Sequence, residues 1–171
     1  MNRREFVIAS AAASLWRPSF GPPTVVTIVQ FSDTGEPQGK ARVEKVEKSS
    51  AEWRKLLSPL AYSVARQGGT EVPFSGAYWN HHERGLFRCV CCDNALFGSA
   101  DKFDSGTGWP SFTAPIAEEN VVHGKPSPGD VPSEVTCVRC DAHLGDLFDD
   151  GPKPTGLRYC IDSVSLRFVK F

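Results

Sequence analysis

Two Cys-x-x-Cys pairs, "CVCC" over 89–92 and "CVRC" over 137–140, constrain this chain more than any other feature. Each follows a strand-like run, "GLFR" and "SEVT". Cys89, Cys92, Cys137 and Cys140 together supply four thiolates, the donor set of a tetrahedral structural zinc. Two disulfides, or a redox-active Cys-x-x-Cys, are competing uses of the same residues. The spacer between the pairs is longer than in a simple zinc ribbon. If the four act together, the fold must bring two distant strand ends to one point.

The rest of the chain suits a mainly β domain. At 171 residues it is long enough to bury one core without disulfides. From Val72 onward no helical period is sustained, and short apolar pieces alternate with Gly, Pro, Asn and Asp. Helices are expected only earlier. Ser49 and Glu52 form a capping box before "AEWRKLL". Ser58 and Pro59 open a second helix that Gly68 and Gly69 close. "TVVTIVQF" over 24–31 is β-branched and reads as a strand. A net charge of −1 carries no footprint for nucleic acid or an anionic membrane.

The first residues read as a targeting segment. Arg3 and Arg4 precede a run of small apolar residues too short to span a bilayer. A twin arginine followed by Phe6 is similar to the signal for exporting folded proteins, which predicts a periplasmic location. Folded export lets a thiolate site fill with metal in the reducing cytoplasm. The division expected is a signal over 1–23, an N-terminal extension over 24–48 and the main domain over 49–171. A monomer without a stable membrane span after signal removal is expected.

With four cysteines assigned to metal, Cys91 and Cys160 remain. Cys91 reads as a small buried hydrophobe. Cys160 stands in "GLRYCIDSVSLRF" over 156–168. Read as one strand, that segment puts Arg158, Cys160 and Asp162 on one face, continuing into Val164, Leu166 and Phe168. An adjacent guanidinium lowers a thiol pKa and makes the sulfur nucleophilic. Spacing alone leaves a buried structural cysteine as the alternative.

Longer motifs bear on that choice. "PFSGAYWN" (73–80), "FDSGTGWPSF" (103–112) and "DAHLGDLFDDGPKPTGLRYCIDSVSLRF" (141–168), with the two knuckles, resemble the methionine-R-sulfoxide reductases of the MsrB type. The resemblance runs from about Val43 to the C-terminus. It implies two antiparallel sheets, a β-tent, with short N-terminal helices and a four-cysteine zinc. It also implies thiol-dependent reduction of the R epimer of methionine sulfoxide, free or in oxidised proteins and peptides, with a thioredoxin-like reductant. Cys160 matches the family's nucleophile, which passes through a sulfenic acid. Trp109 matches the aromatic wall for the substrate methyl, and Arg158 the arginine that holds the thiolate charge. His143 matches the first histidine of the active-site strand.

Three positions depart from the family pattern. Asp146 stands where the second, catalytic histidine is usual, Asp162 where asparagine is usual, and Thr107 where many members carry a resolving cysteine. Two ionised carboxylates near a thiolate raise its pKa. One held protonated serves instead as the acid for the sulfoxide oxygen, and Asp146 is the expected donor. With Thr107 in the resolving position, direct attack by an external thiol is the expected recycling route. Met1 is the only methionine, so the mature chain lacks the residue that such an enzyme repairs. The competing readings are a zinc-stabilised binding module without turnover and a cysteine hydrolase using Cys160, His143 and an aspartate.

Overall fold

In the computed structural model, which describes residues 23–125 and 132–171, eleven short strands are arranged in three antiparallel sheets. The signal segment read over 1–23 lies, apart from Pro23, outside the described residues.

The N-terminal extension forms a ribbon of its own. β1 (Val25–Phe31) pairs with β2 (Pro37–Glu44). The ribbon is fastened to the rest by Asn120, whose side chain is wholly buried. Its Oδ1 accepts from Val29 N at 2.8 Å, and its Nδ2 donates to Val29 O at 2.9 Å and Ala95 O at 2.8 Å. Two helices follow. α1 (Ser50–Leu56) has the expected Ser49/Glu52 capping box, and α2 (Pro59–Gln67) has Ser58 as its cap and Gly68 in the left-handed conformation at its end. Trp53, Leu57, Ala61 and Tyr62 make a small cluster beneath them.

The main domain has two sheets. The smaller holds β3 (Gly85–Cys89) between β4 (Ala95–Gly98) and the C-terminal β11 (Leu166–Lys170). The larger has six strands. In spatial order they are β5 (Lys102–Phe103), β6 (Ser111–Phe112), β10 (Arg158–Ile161), β9 (His143–Phe148), β8 (Ser133–Cys137) and β7 (Val121–His123). Phe87, Leu96 and Phe97 from the smaller sheet meet Phe112, Val135, Leu144, Leu147, Tyr159 and Ile161 from the larger, all essentially inaccessible. Phe97 stacks on Phe112 with ring centroids 4.5 Å apart. Each such side chain contributes on the order of 1.5–3 kcal/mol by leaving water.

One sequence expectation needs correction. The segment 158–168 is not a single strand. β10 ends at Ile161, a 3-10 turn occupies Ser163–Ser165, and β11 then joins the other sheet. The cause is Glu71, a buried carboxylate that accepts from Ser163 N at 2.7 Å and Val164 N at 3.1 Å. Those amides are thereby withdrawn from any ladder. Val164, Leu166 and Phe168 therefore do not extend the face that carries Cys160.

Candidate active site and thiol cluster

The four knuckle cysteines meet as expected. β3 and β8 each end on the first cysteine of a pair. The chain then folds back, with Asp93 N donating to Cys89 O and Asp141 N to Cys137 O, both at 2.9 Å. Asp93 and Asp141 take positive φ, 65° and 55°, a conformation that aspartate tolerates better than most residues. The Sγ atoms of Cys89, Cys92, Cys137 and Cys140 all lie within 4.8 Å of one another, and the Cys89–Cys140 and Cys92–Cys137 pairs are 3.6 Å apart. A disulfide needs about 2.05 Å. A tetrahedron with metal–sulfur arms of about 2.3 Å has edges of roughly 3.8 Å. The cluster therefore fits a four-coordinate metal ion. Asn94 Nδ2 donates to Cys137 Sγ at 3.7 Å from outside the set.

Cys160 lies elsewhere, in the middle of the larger sheet. Its cross-strand partners are Ser111 on β6 and Asp146 on β9, and Asp146 in turn faces Glu134 on β8. Gly145 makes the close approach of β9 to β10 possible. A Cβ there would sit 2.1 Å from Cys160 O, at a φ of +147°. Cys160 opens into a cavity of about 110 Å³ walled by Trp109, Phe148 and Thr70, with Asp146 and Asp162 on its polar side. Trp109 is half-buried and is held by its Nε1, which donates to Glu71 O at 3.2 Å.

The charges around the sulfur oppose one another. Burial pushes the Cys160 thiol up; Arg158 and a hydrogen bond from Thr107 pull it down, and Asp162 pushes it up again. Arg158 is itself clamped by Asp150, with Nε to Oδ1 at 2.7 Å and a second nitrogen to Oδ2 at 2.8 Å. Its guanidinium also lies over the Phe148 ring. Thr107 belongs to a hydroxyl chain through Ser105 to the buried Ser111.

Asp162 is the carboxyl whose proton affinity the site raises. It is 2 % exposed. Burial is the main cause of a pKa pushed up to about 6, reinforced by Glu71 and Asp146 and opposed by an N–H from Glu71 and by His143. His143 Nε2 lies 3.9 Å from Asp162 Oδ2, and its Nδ1 lies 2.8 Å from Glu134 Oε1. Among the described residues no hydrogen bond joins His143 to Cys160, so the Cys–His pair of a hydrolase is not formed. Cys91 packs on the helical cluster beside the knuckle and is not part of the Cys160 cavity. Glu71 and Glu134 went unread in the sequence because their roles depend on contacts with distant residues.

These features define a class: a β domain with one solitary, pocketed thiol and a separate four-thiol cluster that fits a metal ion. Comparison with known proteins agrees. A model of the SelR domain matches residues 57–170. A peptide methionine sulfoxide reductase MsrB of Herminiimonas arsenicoxydans is 55% identical over 126 residues, covering 73% of this chain and 92% of that protein. Proteins of the same name from Thioalkalivibrio sulfidiphilus and Pseudomonas putida strain W619 are 57% and 52% identical over 67% and 74% of this chain, and 85% and 96% of theirs. The chain belongs to the SelR domain family.

Proposed function

We propose that this chain reduces the R epimer of methionine sulfoxide, in peptides and as the free amino acid, with Cys160 as the nucleophile. The observation that carries the reading is the solitary thiol in a cavity with an aromatic wall, a guanidinium behind it and a carboxyl of raised proton affinity beside it. Trp109 and Phe148 receive the methyl and methylene groups flanking the sulfoxide sulfur. The Cys160 thiolate attacks that sulfur while the carboxyl of Asp162 gives its proton to the oxygen. The protonated oxygen then migrates from the substrate sulfur to Cys160 Sγ as the S–O bond and the transient S–S bond both break, so methionine leaves and Cys160 remains as a sulfenic acid. One external thiol then displaces water to form a mixed disulfide, and a second releases the Cys160 thiol as a disulfide of the reductant. A thioredoxin-like dithiol suits both steps.

In this scheme Arg158 holds the thiolate charge, and Asp146 shapes the field around Asp162. His143 stands behind Asp162 rather than against the substrate. The knuckle cysteines hold a structural zinc, which joins the two sheets and takes no part in the chemistry. Turnover is favoured over binding alone, because a pocket that only bound sulfoxide would need no thiol at its floor. The chain works after export by a twin-arginine route, a reading supported by Arg3, Arg4 and the apolar run that follows.

The test is incubation of the full chain with mixed methionine sulfoxide epimers and dithiothreitol, followed by chiral separation. Consumption of the R epimer alone, with one methionine formed per sulfoxide lost, is the expected result. Binding without consumption would establish the non-catalytic alternative.

A further inference from the structure

We infer that Glu134 is a positioning residue for the sulfoxide reaction, acting through His143 to keep one proton in the site at neutral pH. The inference rests on the function proposed above and adds a residue that neither the family pattern nor the pocket walls identify.

The geometry is a graded line from solvent to the cavity. The Glu134 side chain is 60% exposed, His143 11% and Asp162 3%. Glu134 Oε1 takes the Nδ1–H of His143 at 2.8 Å, which leaves Nε2 directed toward Asp162 Oδ2 at 3.9 Å. That gap is inside ion-pair range and about 1 Å longer than a hydrogen bond. Two backbone ties fix it. Asp162 N donates to Leu144 O at 2.8 Å, and Ser165 Oγ donates to His143 O at 2.9 Å.

The placement of Glu134 is otherwise unfavourable. It stands directly opposite Asp146 across the β8–β9 ladder, and like charges facing each other there destabilise a sheet. The hydrogen bond from His143 Nδ1 is what holds Glu134 there. Asp162 is faced by Glu71, Asp146, His143 and Cys160. His143 is faced by Glu134 from β8 and Asp162 from the end of β10. Arg66 of α2, which packs against β9, is spent on Cys140 O and the Trp53 ring.

A carboxylate on Nδ1 offsets the positive potential that the ring presents to Asp162, and so favours the proton on the Asp162 carboxyl. Removing the Glu134 charge makes Asp162 release its proton at lower pH, which leaves fewer molecules ready to protonate the sulfoxide oxygen. A purely structural surface pair would affect stability and leave the pH profile alone.

The test is the pH profile of kcat/KM for methionine-R-sulfoxide in the full chain and in Glu134→Gln, which keeps a hydrogen-bond acceptor and loses the charge. The expected result is a break displaced to lower pH and a neutral-pH rate lower by roughly two- to fivefold, the scale of an exposed ion pair. The difference should shrink in high salt. In a His143→Gln background Glu134→Gln should add nothing. An unmoved break in Glu134→Gln, or an undiminished effect without His143, overturns the inference. If Glu134→Gln leaves the profile unchanged while Asp162→Asn abolishes the break, only this inference fails. If Asp162→Asn also leaves it unchanged, the acid assignment fails with it.

Discussion

Replacing Asp162 by asparagine should move activity and stability in opposite directions. The native carboxyl is raised from its ordinary 3.8 to about 6, mainly by burial. At about 1.4 kcal/mol per tenfold change in proton affinity, that rise corresponds to about 3 kcal/mol. Its sign follows from linkage. Below about pH 3.8 the carboxyl is neutral in both folded and unfolded chains and nothing is lost. As pH rises toward 6 the unfolded chain ionises first, so folding becomes less favourable by up to about 3 kcal/mol and stays so above 6. Asparagine keeps the oxygen that accepts from Glu71 N at 2.8 Å and never ionises. Asp162→Asn should therefore be more stable by up to about 3 kcal/mol at pH 7, with the gain fading toward pH 4. The same variant has no proton to give and should lose at least about 10²-fold in kcat/KM. Its profile should also lose a break. In the native enzyme the productive form carries a protonated Asp162 and an ionised Cys160. The rate rises with pH up to about 6 and is then level, because falling carboxyl and rising thiolate cancel. It declines once Cys160 is fully ionised. Urea titrations at pH 4 and 7, paired with rate profiles, measure both effects. A stability difference that is the same at both pH values, or full activity in the variant, would refute the reasoning.

Other consequences follow from the same geometry. Cys137→Ser should release the metal and lower stability by on the order of several kcal/mol, since binding energy there is folding energy; metal analysis with thermal melts checks this, and metal-free native protein of full stability contradicts it. Gly108→Ala should loosen the Trp109 wall, because the new Cβ would lie 2.7 Å from Phe74 N at a φ of +91°. A raised KM and a lower melting temperature are expected. Cys91→Ala should leave turnover with an external thiol unchanged, and peptide maps after one turnover should show no Cys91–Cys160 disulfide.

Local signals were legible in the sequence wherever neighbours in the chain decide the outcome. The capping box at Ser49 and Glu52, the Ser58–Pro59 start and the Gly68 stop all depend on residues within one turn. The strand ends before each knuckle were legible for the same reason. The four-thiol cluster was legible because cysteine spacing restricts the chemistry so strongly. What stayed hidden depends on distant partners. Nothing within 156–168 marks the break after Ile161, since no Gly or Pro stands there beyond Gly156; the breaker is Glu71, which reaches Ser163 N from another part of the chain. β2 was unread because its alternation is weak and mostly exposed. The surroundings of the two aspartates were hidden too. The sequence pointed to Asp146, by its place in "HLGD". The structure raises the proton affinity of Asp162, because that residue lies buried between sheet and turn. His143 likewise shows its place only once β8 sets Glu134 beside it.

The central claim is that the sulfoxide oxygen is transferred to Cys160, and a single turnover without reductant tests it most directly. The fully reduced chain is mixed with excess methionine-R-sulfoxide carrying heavy oxygen, quenched in the presence of a sulfenic-acid trap, and mapped by mass spectrometry. The account predicts one methionine released per chain and the trap on the Cys160 peptide, with the heavy oxygen recovered there when the trap is omitted. Methionine released with Cys160 unmodified, or undiminished release in Cys160→Ser, would contradict it.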